Sequence, residues 1–272
     1  MIDTDLLESN FARIGARLRR ADGLGPRRRR NVAGVAVALD VRSDRDGEYF
    51  EVIGRREAEA DVAVLDVQPA DRHLLLLVRE RGAKHKFLCG HDERHWFVAA
   101  VPESAPVGTV RQAKEALKPV EVRRAQANAG LRADAGNRRK NAAYRRQGEW
   151  FFVPAPGLKI DEARVLRNEP ITRGNGGKPH LCEFCYRSGG EPVYVCRRYP
   201  NGIDAAQHRL ILEDRPEAKG WGWRVMIRNA QVYVRGRVRH ADHRTIMLHG
   251  WHRVLMNTET QAVAMRNVAF LD

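Results

Sequence analysis

The chain has 272 residues, of which 43% are hydrophobic and 30% charged, and its formal net charge is +14. This composition excludes a disordered chain, and the length predicts one large domain or two of ordinary size. Four cysteines in a chain this long exclude a disulfide framework, and the positive charge favours polyanionic partners.

The N-terminal stretch carries Asp3, Asp5 and Glu8 before its first basic residue, whereas a secretory signal begins with basic residues. The strongest apolar run, residues 73–78, is far shorter than the roughly 20 residues that a bilayer-spanning helix requires. We therefore expect a cytoplasmic protein that keeps its cysteines reduced and has no membrane partner.

The sequence of residues 1–119 predicts a helix, then a set of strands, and then a second helix. Apolar residues spaced by three and four predict the first helix over residues 3–20. Six short apolar runs then predict strands, and the short connections between them favour antiparallel pairing. The runs are residues 32–41, 48–53, 61–67, 73–80, 84–90 and 95–101. The second helix is expected over residues 107–119, with Thr109 as its N-cap and Pro119 at its end.

Residues 121–147 differ in composition from the chain on either side. They contain eight arginine and lysine residues against two acidic ones, and only three sizeable apolar side chains. A segment with so few apolar groups buries little surface, so we expect a linker or an exposed helical arm. The sequence thus predicts an N-terminal α+β domain (1–119), a basic linker or arm (120–148) and a C-terminal β-rich domain (149–272).

The second half of the chain predicts further strands and one helix, the helix at residues 204–214. The strands are expected at residues 220–228, 231–240, 244–250 and 251–257. Within residues 232–239, valine or glycine alternates with tyrosine or arginine, which gives a strand one apolar and one basic face. The expected fold class is α+β, with two mainly antiparallel β-rich halves and a few helices, joined by the basic segment.

The stretch from residue 178 to 196 supports two interpretations. It contains four possible zinc ligands within 17 positions: His180, Cys182, Cys185 and Cys196. A C-x-x-C turn would supply two thiolates to the metal. In the alternative, residues 188–190 form a hairpin loop that sets Cys182 opposite Cys196 and leaves Cys185 on the other face. The thiols are then small buried hydrophobes, and no metal is needed.

The histidines form two further groups, each beside a tryptophan and each expected at the tip of a hairpin. The first group is His85, His91 and His95, and the second is His243, His249 and His252. Imidazoles with neighbouring carboxylates suit a divalent metal or general acid–base chemistry. This pattern favours a metal-dependent nuclease or hydrolase with His91, Asp92, Glu93 and His95 as its catalytic residues. The alternative is that these side chains hydrogen-bond locally or contact phosphates.

Clustered arginines with interleaved aromatic residues predict nucleic-acid binding, to RNA or single-stranded DNA. The expected contacts are Arg27, Arg28, Arg29, Arg30, Arg123, Arg124, Arg138, Arg139, Lys140, Arg145, Arg146, Arg235, Arg237 and Arg239. A third possibility is a non-catalytic subunit that docks on an acidic protein partner. The sequence establishes neither a reaction nor a cofactor, and zinc or another divalent metal is the cofactor that its histidines and cysteines would suit.

Overall fold

A computed structural model describes residues 3–22, 36–54, 60–173, 178–263 and 265. Within these residues, five α-helices and sixteen strands in four sheets form an α+β fold, so the predicted fold class is confirmed. The helices are α1 (Thr4–Arg13), α2 (Val110–Ala116), α3 (Val120–Asn128), α4 (Ala133–Gly136) and α5 (Ala205–Asp214).

The strands divide at the basic segment. Those of the first half are β1 (Leu18–Asp22), β2 (Val37–Asp44), β3 (Gly47–Gly54), β4 (Ala60–Gln68), β5 (His73–Glu80), β6 (Ala83–Asp92) and β7 (His95–Val101). Those that follow are β8 (Arg145–Gln147), β9 (Trp150–Pro154), β10 (Leu166–Ile171), β11 (His180–Ser188), β12 (Glu191–Cys196), β13 (Tyr199–Ile203), β14 (Arg224–Arg228), β15 (Gln231–Arg239) and β16 (Ile246–Met256).

Two sheets build the first half, in the orders β1-β3-β2 and β4-β5-β6-β7. The second sheet is covered on both faces, which explains the uninterrupted apolar run in β5. Leu74 and Leu76 pack into the core shared with α1 and the first sheet, whereas Leu75 packs against α2 on the opposite face. The antiparallel prediction is confirmed for this sheet, while β1 runs parallel to β3.

The first helix is shorter than the predicted range of residues 3–20. It begins after Asp3, whose side chain accepts a hydrogen bond from the Leu6 amide at 3.0 Å, and it ends at Arg13. Gly15, with a φ of +75°, turns the chain out of the helix. The apolar Leu18 belongs instead to β1, where it pairs with Phe50. Spacing alone does not separate a helix from the apolar strand that follows it.

The second half contains a six-stranded sheet, β10-β11-β15-β16-β9-β8, and a three-stranded sheet, β13-β12-β14. The alternation in β15 is confirmed, because Val234 and Val238 are fully buried while Arg237 and Arg239 are exposed. The strands predicted at residues 244–250 and 251–257 are one strand, β16. The pairing of β16 with β15 is irregular around Gly250, whose φ is +82°. A glycine at such an irregularity looks like a turn residue when only the sequence is considered.

The predicted hairpin between Cys182 and Cys196 is wrong. Strand β11 pairs with β10 and β15, whereas β12 pairs with β13 and β14, so the two strands lie in different sheets. The pairing of β11 with β15 is irregular between Cys182 and Phe184. This irregularity changes the alternation of faces, so Cys182 and Cys185 both point into the core of the six-stranded sheet.

The basic segment is not an exposed arm, because part of it packs against the rest of the protein. Val122 of α3 and Tyr144 form a small core with Phe151 of β9. The carbonyl of Gly136 accepts hydrogen bonds from the Gln126 amide at 2.9 Å and from the Tyr144 hydroxyl at 2.5 Å. The segment therefore packs with few apolar side chains, because its buried polar side chains form hydrogen bonds to a buried carbonyl. The division of the chain into domains stays a prediction.

The C-terminal part of the described chain returns to the first half. The Thr258 hydroxyl donates to the carbonyl of Ala116 at 2.8 Å, and Ala262 and Met265 pack into the core around α1. This return brings both halves around a shared space. No helix in the described ranges has the length and apolar character that crossing a bilayer demands.

Gly236 tests the irregular pairing of β15. Its φ is +81°, and a Cβ added there would lie 2.7 Å from a Glu183 carboxylate oxygen. We expect Gly236→Ala to lower the free energy of unfolding by about 1–3 kcal/mol, because strain and crowding add. Urea denaturation measures the change. Gly157→Ala is the control, since a Cβ at Gly157 meets no atom within 4 Å. Equal stability of the two variants would contradict the predicted strain.

Candidate functional site

A cavity of about 990 Å³ lies between the two halves of the molecule. Its walls come from the first two sheets, the basic segment, the start of β11 and the turn that follows β15. The space is large enough for a small molecule or a short stretch of a polymer. The lining is rich in ionisable side chains, which is typical of catalytic clefts.

Three histidines meet in the wall of this cavity: His180 at the start of β11, and His240 and His243 after β15. One nitrogen from each ring lies within 4.8 Å of the other two. The rings stack, with centroids 4.2 Å apart for His180 and His240 and 4.7 Å apart for His240 and His243. We call these three residues the histidine cluster.

Two members of the histidine cluster, His180 and His243, are neutral imidazoles at neutral pH. Burial, reinforced by the two neighbouring imidazoles, lowers the pKa of His180 to about 3. Burial and His240 in the same way lower the pKa of His243 to about 4. His180 is 1% exposed, and neither of its ring nitrogens has a hydrogen-bond partner. An unpartnered buried nitrogen is costly, so the site is chemically incomplete without a group that binds it.

The other two rings of the histidine cluster have different environments. Nδ1 of His243 lies 3.5 Å from Oε2 of Glu93 but forms no hydrogen bond with it, so this nitrogen is also buried without a partner. Nδ1 of His240 accepts from the Asp242 amide at 3.1 Å, and its Nε2 lies 3.3 Å from the carbonyl of Lys178. These contacts place the proton of His240 on Nε2 and a lone pair on Nδ1.

Gly148 keeps the space beside the histidine cluster open. Its φ is +56°, and a Cβ at this position would lie 2.9 Å from Nε2 of His243 and 3.6 Å from Nε2 of His180. Neutral imidazoles suit zinc, and a centre with three histidines leaves a further position for water or substrate. The donor set therefore fits zinc, provided that the Asp242 amide releases Nδ1 of His240.

A half-buried carboxyl group adjoins the histidine cluster. Glu149 follows Gly148 and lines the cavity, and burial raises its pKa, while Arg173 and His240 oppose this rise. Glu259, which is 3% exposed, also lines the cavity, and it pairs with Arg173 at 2.9 Å. Glu149 directly follows Gly148, which borders the open space, so its carboxyl group suits proton transfer there.

The catalytic role of His91, Asp92, Glu93 and His95 stays a prediction. Three of them, His91, Asp92 and His95, line the same cavity as the histidine cluster, but each has another partner in the structure. His91 packs edge-on against Trp96, and Nδ1 of His95 contacts Glu48 at 2.6 Å. Both acidic residues pair with Arg139, and Asp92 also pairs with Arg146 at 3.1 Å. Glu93 alone reaches the histidine cluster. The second predicted group is divided. His243 belongs to the histidine cluster, His249 is exposed on β16, and Nδ1 of His252 contacts the Gly250 carbonyl at 3.0 Å.

The four predicted metal ligands at residues 180–196 are not gathered into one site. Burial raises the pKa of Cys182 to about 12 and that of Cys185 to about 11, so both thiols are protonated at neutral pH. Cys196 pairs with Tyr199 in the three-stranded sheet. Of that set, His180 alone belongs to the histidine cluster. Across the described ranges, only this cluster brings together three groups suited to a metal.

The predicted nucleic-acid contacts occupy several environments. Arg27, Arg28, Arg29 and Arg30 lie outside the described residues. Arg139 forms ion pairs with Asp92 and Glu93, and Arg146 forms one with Asp92, whereas Arg145 is half-buried. The exposed members of the basic segment are Arg123, Arg124, Arg138 and Lys140. Those on β15, Arg235, Arg237 and Arg239, share the outer face of the six-stranded sheet.

His240 is absent from the residues that the sequence predicts for a site, although the sequence carries one signal for it. His240 and His243 form an H-x-x-H pair directly after β15, a spacing that allows both rings to reach one point from a turn. His243 was instead grouped with His249 and His252. Nothing local linked the pair to His180, which lies 60 positions earlier than His240 in the chain.

Comparison of the chain with protein-family models, with curated proteins and with solved structures found no match.

His73, in the wall of the cavity, predicts a measurable dependence of stability on pH. Burial, together with nearby Lys114, lowers its pKa to about 4. The unfolded pKa is about 6.5, so the stabilisation is complete above that pH and is lost as the pH falls towards 4. We expect His73 to contribute a loss of about 2 kcal/mol between pH 8 and pH 5.

Urea denaturation of His73→Asn at both pH values measures this contribution. The asparagine amide can still donate to the Asp71 carbonyl that the His73 ring contacts, but it does not titrate. The variant should therefore lose less stability between pH 8 and pH 5 than the parent protein does. His249→Asn, at an exposed position, should keep the parent pH dependence. An unchanged dependence in His73→Asn would contradict the assignment.

Proposed function

We propose that the cavity is the active site of a zinc-dependent hydrolase, with His180, His240 and His243 as the zinc ligands. One observation carries the proposal: a fully buried histidine without hydrogen-bond partners lies beside two further neutral or partnered imidazoles at a cavity wall. Such a set of donors is stabilised by a cation that accepts their lone pairs.

Zinc bound by three histidines supplies a Lewis acid and lowers the pKa of a bound water. The chain's own residues perform the remaining tasks. Glu93 lies 3.5 Å from Nδ1 of His243 and would stabilise this ring electrostatically, and the Lys178 carbonyl fixes the proton of His240 on Nε2. Glu149 accepts and returns a proton beside the open space, a role that its raised pKa favours over that of an ordinary carboxyl group.

The proposed substrate class is a phosphodiester. The net charge of +14 attracts polyanions, and the cavity wall contains Arg139, Arg173 and Lys178. Each of these cations is paired with a carboxylate of the protein, so a phosphate would bind by exchanging partners with one of them. This proposal replaces the predicted catalytic set and keeps only Glu93 of it, in a supporting role.

Elemental analysis of the purified protein tests whether zinc is bound. Two glycine variants with similar backbone conformations test whether it is bound beside the histidine cluster. Gly148→Ala fills the space beside the histidine cluster, whereas Gly130→Ala has a similar φ of +60° and meets no atom within 4 Å. We expect about one zinc per chain in the parent protein and in Gly130→Ala, and a small fraction of that in Gly148→Ala and His180→Ala. Equal zinc in both glycine variants would contradict a site at this position.

Steady-state hydrolysis of a model phosphodiester tests the reaction. Glu149→Gln should keep its zinc and lose about 100-fold or more in kcat, because the amide cannot take up a proton. Glu213→Gln, an exposed change of the same kind on α5, is the matched control and should keep the parent rate. Zinc bound without any hydrolysis, or full activity in Glu149→Gln, would overturn the proposed mechanism.

A further inference from the structure

The outer face of the six-stranded sheet carries aromatic rings that are each covered by arginine. The guanidinium of Arg235 lies 5.0 Å from the ring centroid of Phe184 and 4.9 Å from that of Trp251. Arg167 lies 5.3 Å from the Phe184 centroid. The guanidinium of Arg164 likewise lies 5.7 Å from the centroid of Tyr186. We call these six residues the arginine–aromatic face.

Strand register aligns the centre of this face. Phe184 of β11 pairs with Arg167 of β10 on one side and with Arg235 of β15 on the other. Paired residues in neighbouring strands point to the same side of a sheet, so the three side chains form a row across the strands. The opposite side of the same strands carries Cys185 and Val234, which are fully buried in the core.

The charges of the arginine–aromatic face are incompletely balanced. Arg164 and Arg167 are exposed and form no ion pair within the described ranges. Arg235 approaches the exposed Glu162 at 3.7 Å, which is a weak, solvent-screened contact. Two guanidinium groups beside one phenylalanine repel each other, and a polyanion that bridges them relieves this repulsion.

We propose that the arginine–aromatic face binds single-stranded nucleic acid. Bases would take the places of the guanidinium groups over Phe184 and Trp251, and the displaced Arg167 and Arg235 would bind phosphates together with Arg164. Half-exposed rings within a sheet favour unpaired bases, because stacking needs a free base face that a duplex does not offer. An acidic protein would use the arginines but would gain nothing comparable from the rings. The site is separate from the cavity, and binding does not depend on the proposed metal centre.

Fluorescence anisotropy with labelled strands of about 20 nucleotides, in the presence of a metal chelator, tests this proposal. Arg167→Gln/Arg235→Gln should weaken binding and make the logarithmic salt dependence shallower by about 1.4, for two lost phosphate contacts. The control pair Arg111→Gln/Arg209→Gln removes the same charge from exposed positions on α2 and α5. It should leave the slope close to that of the parent protein.

Phe184→Leu tests stacking without a change in charge, and circular dichroism confirms that each variant is folded. We expect Phe184→Leu to weaken binding of DNA and RNA strands about fivefold or more, and a duplex of the same sequence to bind more weakly than either strand. Comparison of the DNA and RNA strands shows which of them this face prefers.

Three results would overturn the proposal. They are absence of binding at about 50 mM salt, equal losses in the two arginine pairs, and binding of polyglutamate as tight as that of the strands with no effect of Phe184→Leu. The last result would identify the face as a site for an acidic protein. His180→Ala should bind strands normally, so loss of hydrolysis with intact binding counts against the hydrolase alone.

Discussion

The acidic turn between β6 and β7 joins three distant parts of the chain. Asp92 and Glu93 both pair with Arg139 of the basic segment, and Asp92 also pairs with Arg146. Glu93 in addition accepts a hydrogen bond from the Arg244 amide at 2.8 Å. Asp92 is 9% exposed, so its removal would leave the partly buried Arg146 without its counter-charge, which is far costlier than the loss of a surface pair, while Arg139 would keep Glu93. This turn thus connects several of the segments that form the walls of the cavity.

These ion pairs change the meaning of the arginine-rich segment. Net charge and clustering favoured an exposed arm, but Arg139 and Arg146 connect the segment to the first half of the molecule. Composition cannot distinguish a guanidinium that faces solvent from one that meets a carboxylate 54 positions away. The surface that combines cations with rings is on the six-stranded sheet, where the alternation of β15 had already predicted a basic face.

The sequence predicts local structure well and distant pairing poorly. The N-cap at Thr109 and the helix at residues 204–214 depend on neighbours in sequence, and both are confirmed as α2 and α5. The hairpin assigned around residues 188–190 followed a local turn signal, although the partners of β11 are β10 and β15. The histidine cluster escaped prediction for the same reason, since its members come together only through sheet pairing. The positive φ of Gly236 and Gly250 is equally invisible in a pattern of alternating residues.

The turn between β8 and β9 closes a hairpin of the fold and also forms part of the proposed site. Gln147 pairs with Trp150 across this turn, so Gly148 and Glu149 form its two-residue loop, and Gly148 takes the left-handed conformation that such a loop requires. The same glycine leaves open the space beside the histidine cluster, and the next residue, Glu149, supplies the half-buried carboxyl group.

Gln147 is fully buried and donates to the Arg244 carbonyl at 2.7 Å, while Glu93 holds the Arg244 amide. The residue after His243 is thereby fixed from both sides, by the hairpin and by the acidic turn. The position of the His243 ring consequently follows from contacts that the fold needs in any case.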